Sequence, residues 1–149
     1  MSARFDTLFA LWSEQIPLAK AMEIRFEETS GDWSLQAPLE PNRNHMGTAF
    51  GGAIASLATL TGWAQTWMLL PNPEATHIVV GKSTIQYRRP ARGELIGTAQ
   101  APSDDTVSDF LASLDARGKA GIHIVVQIHS DGVEAARLKA KFVAIQKSA

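Results

Sequence analysis

The stretch from about Gly52 to Leu70 places the tightest limit on the fold. Its apolar residues, among them Ile54, Leu57, Leu60, Trp63, Trp67 and Leu70, fall on nearly every face of a helix instead of forming one stripe. Such a helix has to be wrapped by other structure. Ala53 to Leu70 reaches the length of a membrane span, but Ser56, Thr59, Thr61, Gln65 and Thr66 lower its hydrophobicity and no basic flank follows. A buried helix in a soluble protein is therefore expected, with no membrane partner. Pro71-Asn72-Pro73 stops it.

The remaining segments supply the wrapping. Phe5, Leu8, Phe9, Leu11 and Trp12 recur at near-helical spacing, and Pro17 ends or bends this N-terminal cover helix. Glu23 to Thr29 and Trp33 to Ala37 alternate around Ser30-Gly31-Asp32 as a hairpin, closed by Pro38 and Pro41. Strands are predicted at Thr76–Arg89, Glu94–Ala101, Ile122–Ser130 and Val133–Gln146, the last two joined by the tight-turn pair Asp131-Gly132. Val107, Phe110, Leu111 and Leu114 fall at i, i+3, i+4 and i+7. They predict an amphipathic helix capped by Ser103 or Asp104 and ending at Gly118. An antiparallel sheet wrapped around one long helix satisfies this order, so the expected class is α+β, as a single domain over 1–149.

Composition closes off several chemistries. The chain has no cysteine, which removes disulfides, thiolate metal sites and cysteine nucleophiles together. A net charge of −1 gives no footing for a nucleic-acid partner. His123 and His129 share a strand face but stand six residues apart, roughly 20 Å at ~3.3 Å per residue, too far to share an ion. No metal is expected. Neither a Gly-x-Ser-x-Gly elbow nor a phosphate-binding loop occurs. The N-terminus lacks the apolar core of a signal peptide, so a cytoplasmic location is expected.

Chemistry concentrates in Asn44-His45-Met46-Gly47-Thr48-Ala49-Phe50-Gly51-Gly52, immediately before the long helix. A glycine-rich turn there leaves backbone N–H groups unpaired at the positive end of the helix dipole, where an oxyanion can be held. The N–H of Gly51 is the first candidate donor, with Gly52 supporting the turn and Gly47, Phe50 and Gly52 as candidate substrate-binding residues; Gly51-Gly52 would also serve simply to start a helix packed tightly on a sheet. Asn44 offers a donor and an acceptor to a carbonyl or a water, or is an ordinary turn residue. His45 could exchange protons near neutral pH, or simply be solvated. Ser56 and Thr59 share a helical face, and their hydroxyls either position water or bond the preceding turn. Lys82, Ser83, Tyr87 and Arg88, followed by Arg89 and Arg92, form either a phosphate-binding rim or a solvated strand end.

Together, Asn42-x-Asn44-His45-Met46-Gly47-Thr48-Ala49-Phe50-Gly51-Gly52 and Lys82-Ser83-Thr84-Ile85-Gln86-Tyr87 resemble the hotdog-fold acyl-CoA thioesterases, most closely the YiiD C-terminal type. The resemblance implies a homodimer, often further assembled as a tetramer, with acyl-CoA or a related thioester between subunits. It also implies an acyl tunnel beside the central helix, to which Trp63 and Trp67 would contribute. No cofactor is implied beyond coenzyme A as part of the substrate. Many such enzymes carry His-Gly-Gly and an acidic residue two turns into the helix; this chain has Phe50 and Thr59 at those places. The expected function is acyl-thioester hydrolysis by direct attack of water, with Gly51 on the oxyanion and Asn44 and Thr59 positioning carbonyl and water. A thioester-binding module without hydrolysis and a hotdog hydratase or dehydratase are the alternatives.

Overall fold

The computed structural model describes residues 2–148. Helix α1 (Ser2–Gln15) is followed by the short α2 (Pro17–Ala21), the hairpin β1 (Arg25–Thr29) and β2 (Asp32–Ala37), and the long α3 (Gly51–Leu69). Then come β3 (Thr76–Tyr87), β4 (Leu95–Ala99), α4 (Asp104–Arg117), β5 (Lys119–Ser130) and β6 (Val133–Gln146). Ser103 caps α4 by accepting a hydrogen bond from the Thr106 N–H, and Gly118 ends it. That helix runs directly into β5, which therefore starts at Lys119, three residues earlier than alternation suggests. Pro17 does more than end α1. It occupies the first turn of α2, where a missing N–H has no consequence.

All six strands are antiparallel in the order β1-β2-β4-β5-β6-β3. Asp131 and Gly132 take φ of 51° and 77°, the left-handed pair that lets a two-residue turn follow the twist of β5 and β6. Helix α3 lies on one face of this sheet, packed against β2, β3, β4, β5 and β6. Every second residue of β5 and β6 turns toward it: Ile122, Ile124, Val126 and Ile128 from one, Ala136, Leu138, Ala140 and Phe142 from the other, all buried. Phe5, Leu8 and Trp12 bring α1 into the same core. This is the hotdog fold expected from the sequence. Among the described residues, no helix is long and apolar enough to cross a membrane.

Close approach of α3 to the sheet depends on Gly62. A Cβ there would overlap the Phe142 ring, which is itself fully buried. Gly62→Ala gains at most about 1 kcal/mol of helix propensity. Forcing extra volume against an immobile ring costs about 1–3 kcal/mol, so packing outweighs propensity. The variant is expected to melt several degrees below the wild type, and an unchanged or raised melting temperature would show that the contact is slack.

Candidate functional site

The site is built on the segment between β2 and α3. Asn42, 3% exposed, donates its side-chain amide hydrogens to the carbonyls of Met22 (3.0 Å) and Pro38 (2.7 Å), while its backbone carbonyl accepts from the Phe50 N–H (2.8 Å). One buried amide thus fixes where the chain enters α3. Between these anchors, Asn44 closes a tight loop. Its Oδ1 accepts from the N–H groups of Met46 (2.8 Å) and Thr48 (3.2 Å), and its Nδ2 donates to Thr48 Oγ1 (2.9 Å) and, at 3.5 Å, to the Ala49 carbonyl. Gly47, at φ 81°, supplies the left-handed turn residue. Both ends of the Asn44 amide are therefore engaged inside the loop. Its geometry is that of a loop-shaping group, while His45 and Met46 are carried on the exposed outside.

Phe50 precedes α3 in extended conformation, and no side chain caps the helix. The Ala53 and Ile54 N–H groups both bond the Phe50 carbonyl, whereas the N–H groups of Gly51 and Gly52 make no bond among the described residues. Two donors are left at the positive end of a 19-residue helix. Tyr87, the only tyrosine, reaches this point from the end of β3 and donates its hydroxyl to the Gly51 carbonyl at 3.3 Å. Phe50, Gly51, Gly52 and Tyr87 are thus brought together across 36 residues of sequence.

Below the helix start, α3 carries an exposed Gly52 followed on the same face by the half-buried Ser56, Thr59 and Trp63. A cavity of about 370 Å³ lies against Gly52, Ala53 and Ser56, with Leu18, Met22 and Phe50 among its other walls. An open hollow of about 350 Å³ lies against Ser56, Thr59 and Trp63. The Ser56 and Thr59 hydroxyls donate to the Gly52 (2.8 Å) and Ala55 (2.9 Å) carbonyls one turn back, so each keeps only acceptor capacity for a ligand or water. The walls from α2 had no counterpart in the sequence reading, because Pro17 looked like a stop.

Strand β3 divides the remaining candidates. Ser83 and Tyr87 stand opposite Ala140 and Ala136, on the face that holds α3. Lys82 stands opposite Lys141, on the other face, because the register shifts between Val80 and Lys82. Lys82 is therefore not assembled with the helix start in this chain. Arg88 and Arg89 do lie beside Tyr87, lining an open hollow with Gln86, Val133 and Glu134. Glu134 is held below the usual carboxylate range chiefly by its hydrogen bond from Arg137.

The family described as "Putative thioesterase (yiiD_Cterm)" matches residues 5–146. This chain belongs to that family. A solved structure of a thioesterase-family protein from Shewanella oneidensis is similar to this member at 30% identity and a TM-score of 0.84, covering 97% of this chain and 99% of the other. A protein of unknown function from Chlorobaculum tepidum TLS gives a TM-score of 0.88 at 24% identity, covering 95% and 94%. A Bacillus halodurans protein solved with CoA gives 0.71 at 18% identity, covering 99% and 91%. These last two likenesses are of fold.

The role of Asn44 is testable apart from any chemistry. Asn44→Ala removes both ends of the loop closure and is expected to cost about 1–2 kcal/mol, read as a lower melting temperature. Asn44→Asp keeps the acceptor for Met46 and Thr48, and Thr48 can turn its hydroxyl to donate. It is therefore expected to recover most of that loss. Equal destabilisation by both variants would contradict the loop-shaping role.

Proposed function

We propose that this protein hydrolyses acyl-CoA thioesters by direct attack of water, as a homodimer. The carrying observation is the uncapped start of α3: two backbone N–H groups with no partner among the described residues, on a segment anchored by Asn42. The thioester carbonyl accepts from Gly51, supported by Gly52, and the charge that develops on oxygen in the tetrahedral intermediate is stabilised by donors that need no reorganisation. The arginines beside Tyr87 suit the phosphates of coenzyme A, and the CoA-bound Bacillus halodurans protein shares this fold.

Pairing Gly51 with a water held by Thr59 calls for a second copy. Thr59 is eight residues beyond Gly51, about 12 Å along the helix axis at 1.5 Å per residue. A water held by Thr59 cannot attack a carbonyl held by Gly51 of the same chain. In the proposal, the partner's helix brings its own threonine to the carbonyl. Strand β3 offers the docking edge: it is last in the sheet, twelve residues long, and leaves Val79 and Val80 49% and 44% exposed. Thr59 accepts from the attacking water and orients it, the water's proton passes to solvent, and the tetrahedral intermediate collapses by breaking the carbon–sulfur bond, the departing coenzyme A thiolate taking up a proton.

Among the described residues, no carboxylate lines either cavity along α3, which favours a second reading as a thioester-binding module. Thiol release from acyl-CoAs separates the two. Wild type is expected to turn over, Thr59→Ala to lose about tenfold or more in kcat, and Thr59→Asp, which supplies a base at that place, to gain by a similar factor. Val80→Asp is expected to give a folded monomer without turnover. Saturable acyl-CoA binding with no thiol release by the wild type would establish the binding module instead.

A further inference from the structure

We infer that the hollow between α4 and the first half of β5 binds a sugar phosphate, either free or as the ribose phosphate of a nucleotide. Its polar groups point away from α3, so this site stands apart from the thioester site and does not depend on it.

Strand β4 pairs with β5 only from Val126 to His129, and the Gln100 N–H then donates to the Val125 carbonyl. Before Val125 that edge of β5 has no neighbouring strand, and α4 packs alongside it instead. Backbone groups alternate sides along a strand, so the N–H groups of Gly121 and His123 point off the same edge as those of Val125. Neither has a partner on that side among the described residues. An open hollow of about 540 Å³ lies there, lined by Asp109, Ser113 and Arg117 of α4 and by Lys119, Gly121 and His123 of β5.

Positive charge collects at this place without compensation. Lys141 of β6 stands opposite His123 on one side and Lys82 on the other, although ammonium groups directly across a strand pair repel. Among the described residues, Lys82, Arg117, Lys119 and Lys141 form no ion pair. Lys141 is also drawn over the hollow and not away from it. Its stem crosses Gly121, where a Cβ would overlap Lys141 Cε and stand 3.4 Å from Nζ. Glycine at 121 thus lets the Lys141 ammonium join Arg117, Lys119 and the two edge N–H groups in one donor set, which suits a phosphate. Asp109 decides what must carry that phosphate. It is the one carboxylate lining the hollow among the described residues, and it repels a bare anion while accepting readily from a hydroxyl. Ser113 adds a hydroxyl that either donates or accepts. A phosphate joined to a sugar satisfies both halves, with its anion on the cations and its hydroxyls on Asp109 and Ser113.

The test is calorimetric titration of the full chain with ribose 5-phosphate, AMP, inorganic phosphate and ribose. Ribose 5-phosphate and AMP are expected to bind saturably and about tenfold or more tighter than inorganic phosphate, and ribose alone not to bind. AMP binding above ribose 5-phosphate assigns the site to nucleotides, and the reverse order to free sugar phosphates. Lys141→Met should weaken both about tenfold or more. Gly121→Ala should weaken them similarly without lowering the melting temperature, because only the flexible end of Lys141 has to move aside. Asp109→Asn should narrow the gap between ribose 5-phosphate and inorganic phosphate. The double variant Arg88→Gln, Arg89→Gln should leave these affinities unchanged, and their loss there would put the ligand beside Tyr87 and overturn the inference. So would no saturable binding of either sugar phosphate, inorganic phosphate bound as tightly as they are, or affinities unmoved by Lys141→Met and Gly121→Ala.

Discussion

A helix without a polar face has to be enclosed, and the rest of this fold follows from enclosing α3. Ala58, Ala64 and Leu57 are fully buried, as are Thr61 and Thr66, which tolerate burial because each hydroxyl bonds a carbonyl one turn back. The sheet closes on the helix through small residues. Gly62 admits the Phe142 ring, and Gly97 admits Thr61, where any Cβ would collide. Such contacts leave little room for the helix to slide, so its N-terminus is placed as firmly as its middle.

That placement gives the helix start its chemical potential. A terminus with free donors normally recruits a capping side chain, and here the residue before the helix is Phe50, which has none to offer. Asn42 and Asn44 stabilise the approach by bonding the loop to itself and to the carbonyls of Met22 and Pro38, not by occupying the helix donors. The result is an oriented donor pair beside Tyr87 and a hollow lined by Leu18, Met22 and Phe50.

Much of this was legible in the sequence, for identifiable reasons. Asp131-Gly132 and Ser30-Gly31 announced their hairpins because left-handed residues are needed there, and Ser103 with Gly118 marked both ends of α4. The long helix was legible from the absence of a polar stripe. What was hidden depended on contacts far apart in sequence. Strand order, with β3 beside β6 at the sheet's end, is not written in any local pattern. The register shift after Val80 reverses the alternation, so Lys82 turns away from the face shared by Ser83 and Tyr87. The self-closure of Asn44 and the cavity wall from α2 likewise required the folded chain.

The central claim is that the Gly51 N–H holds the thioester carbonyl, and Gly51→Pro tests it most directly. Proline is tolerated at the first residue of a helix, Phe50 already has the extended conformation that a following proline demands, and a Cβ at Gly51 meets Tyr87 only at an ordinary 3.6 Å. The substitution therefore replaces the N–H by a ring methylene, removing the donor and blocking its approach while leaving the helix start in place. With Gly51→Ala as the control that keeps the N–H, the account predicts an unchanged fold by circular dichroism and a loss of kcat for thiol release of about a hundredfold or more in Gly51→Pro alone. A folded Gly51→Pro protein that turns over acyl-CoA as fast as Gly51→Ala would contradict it.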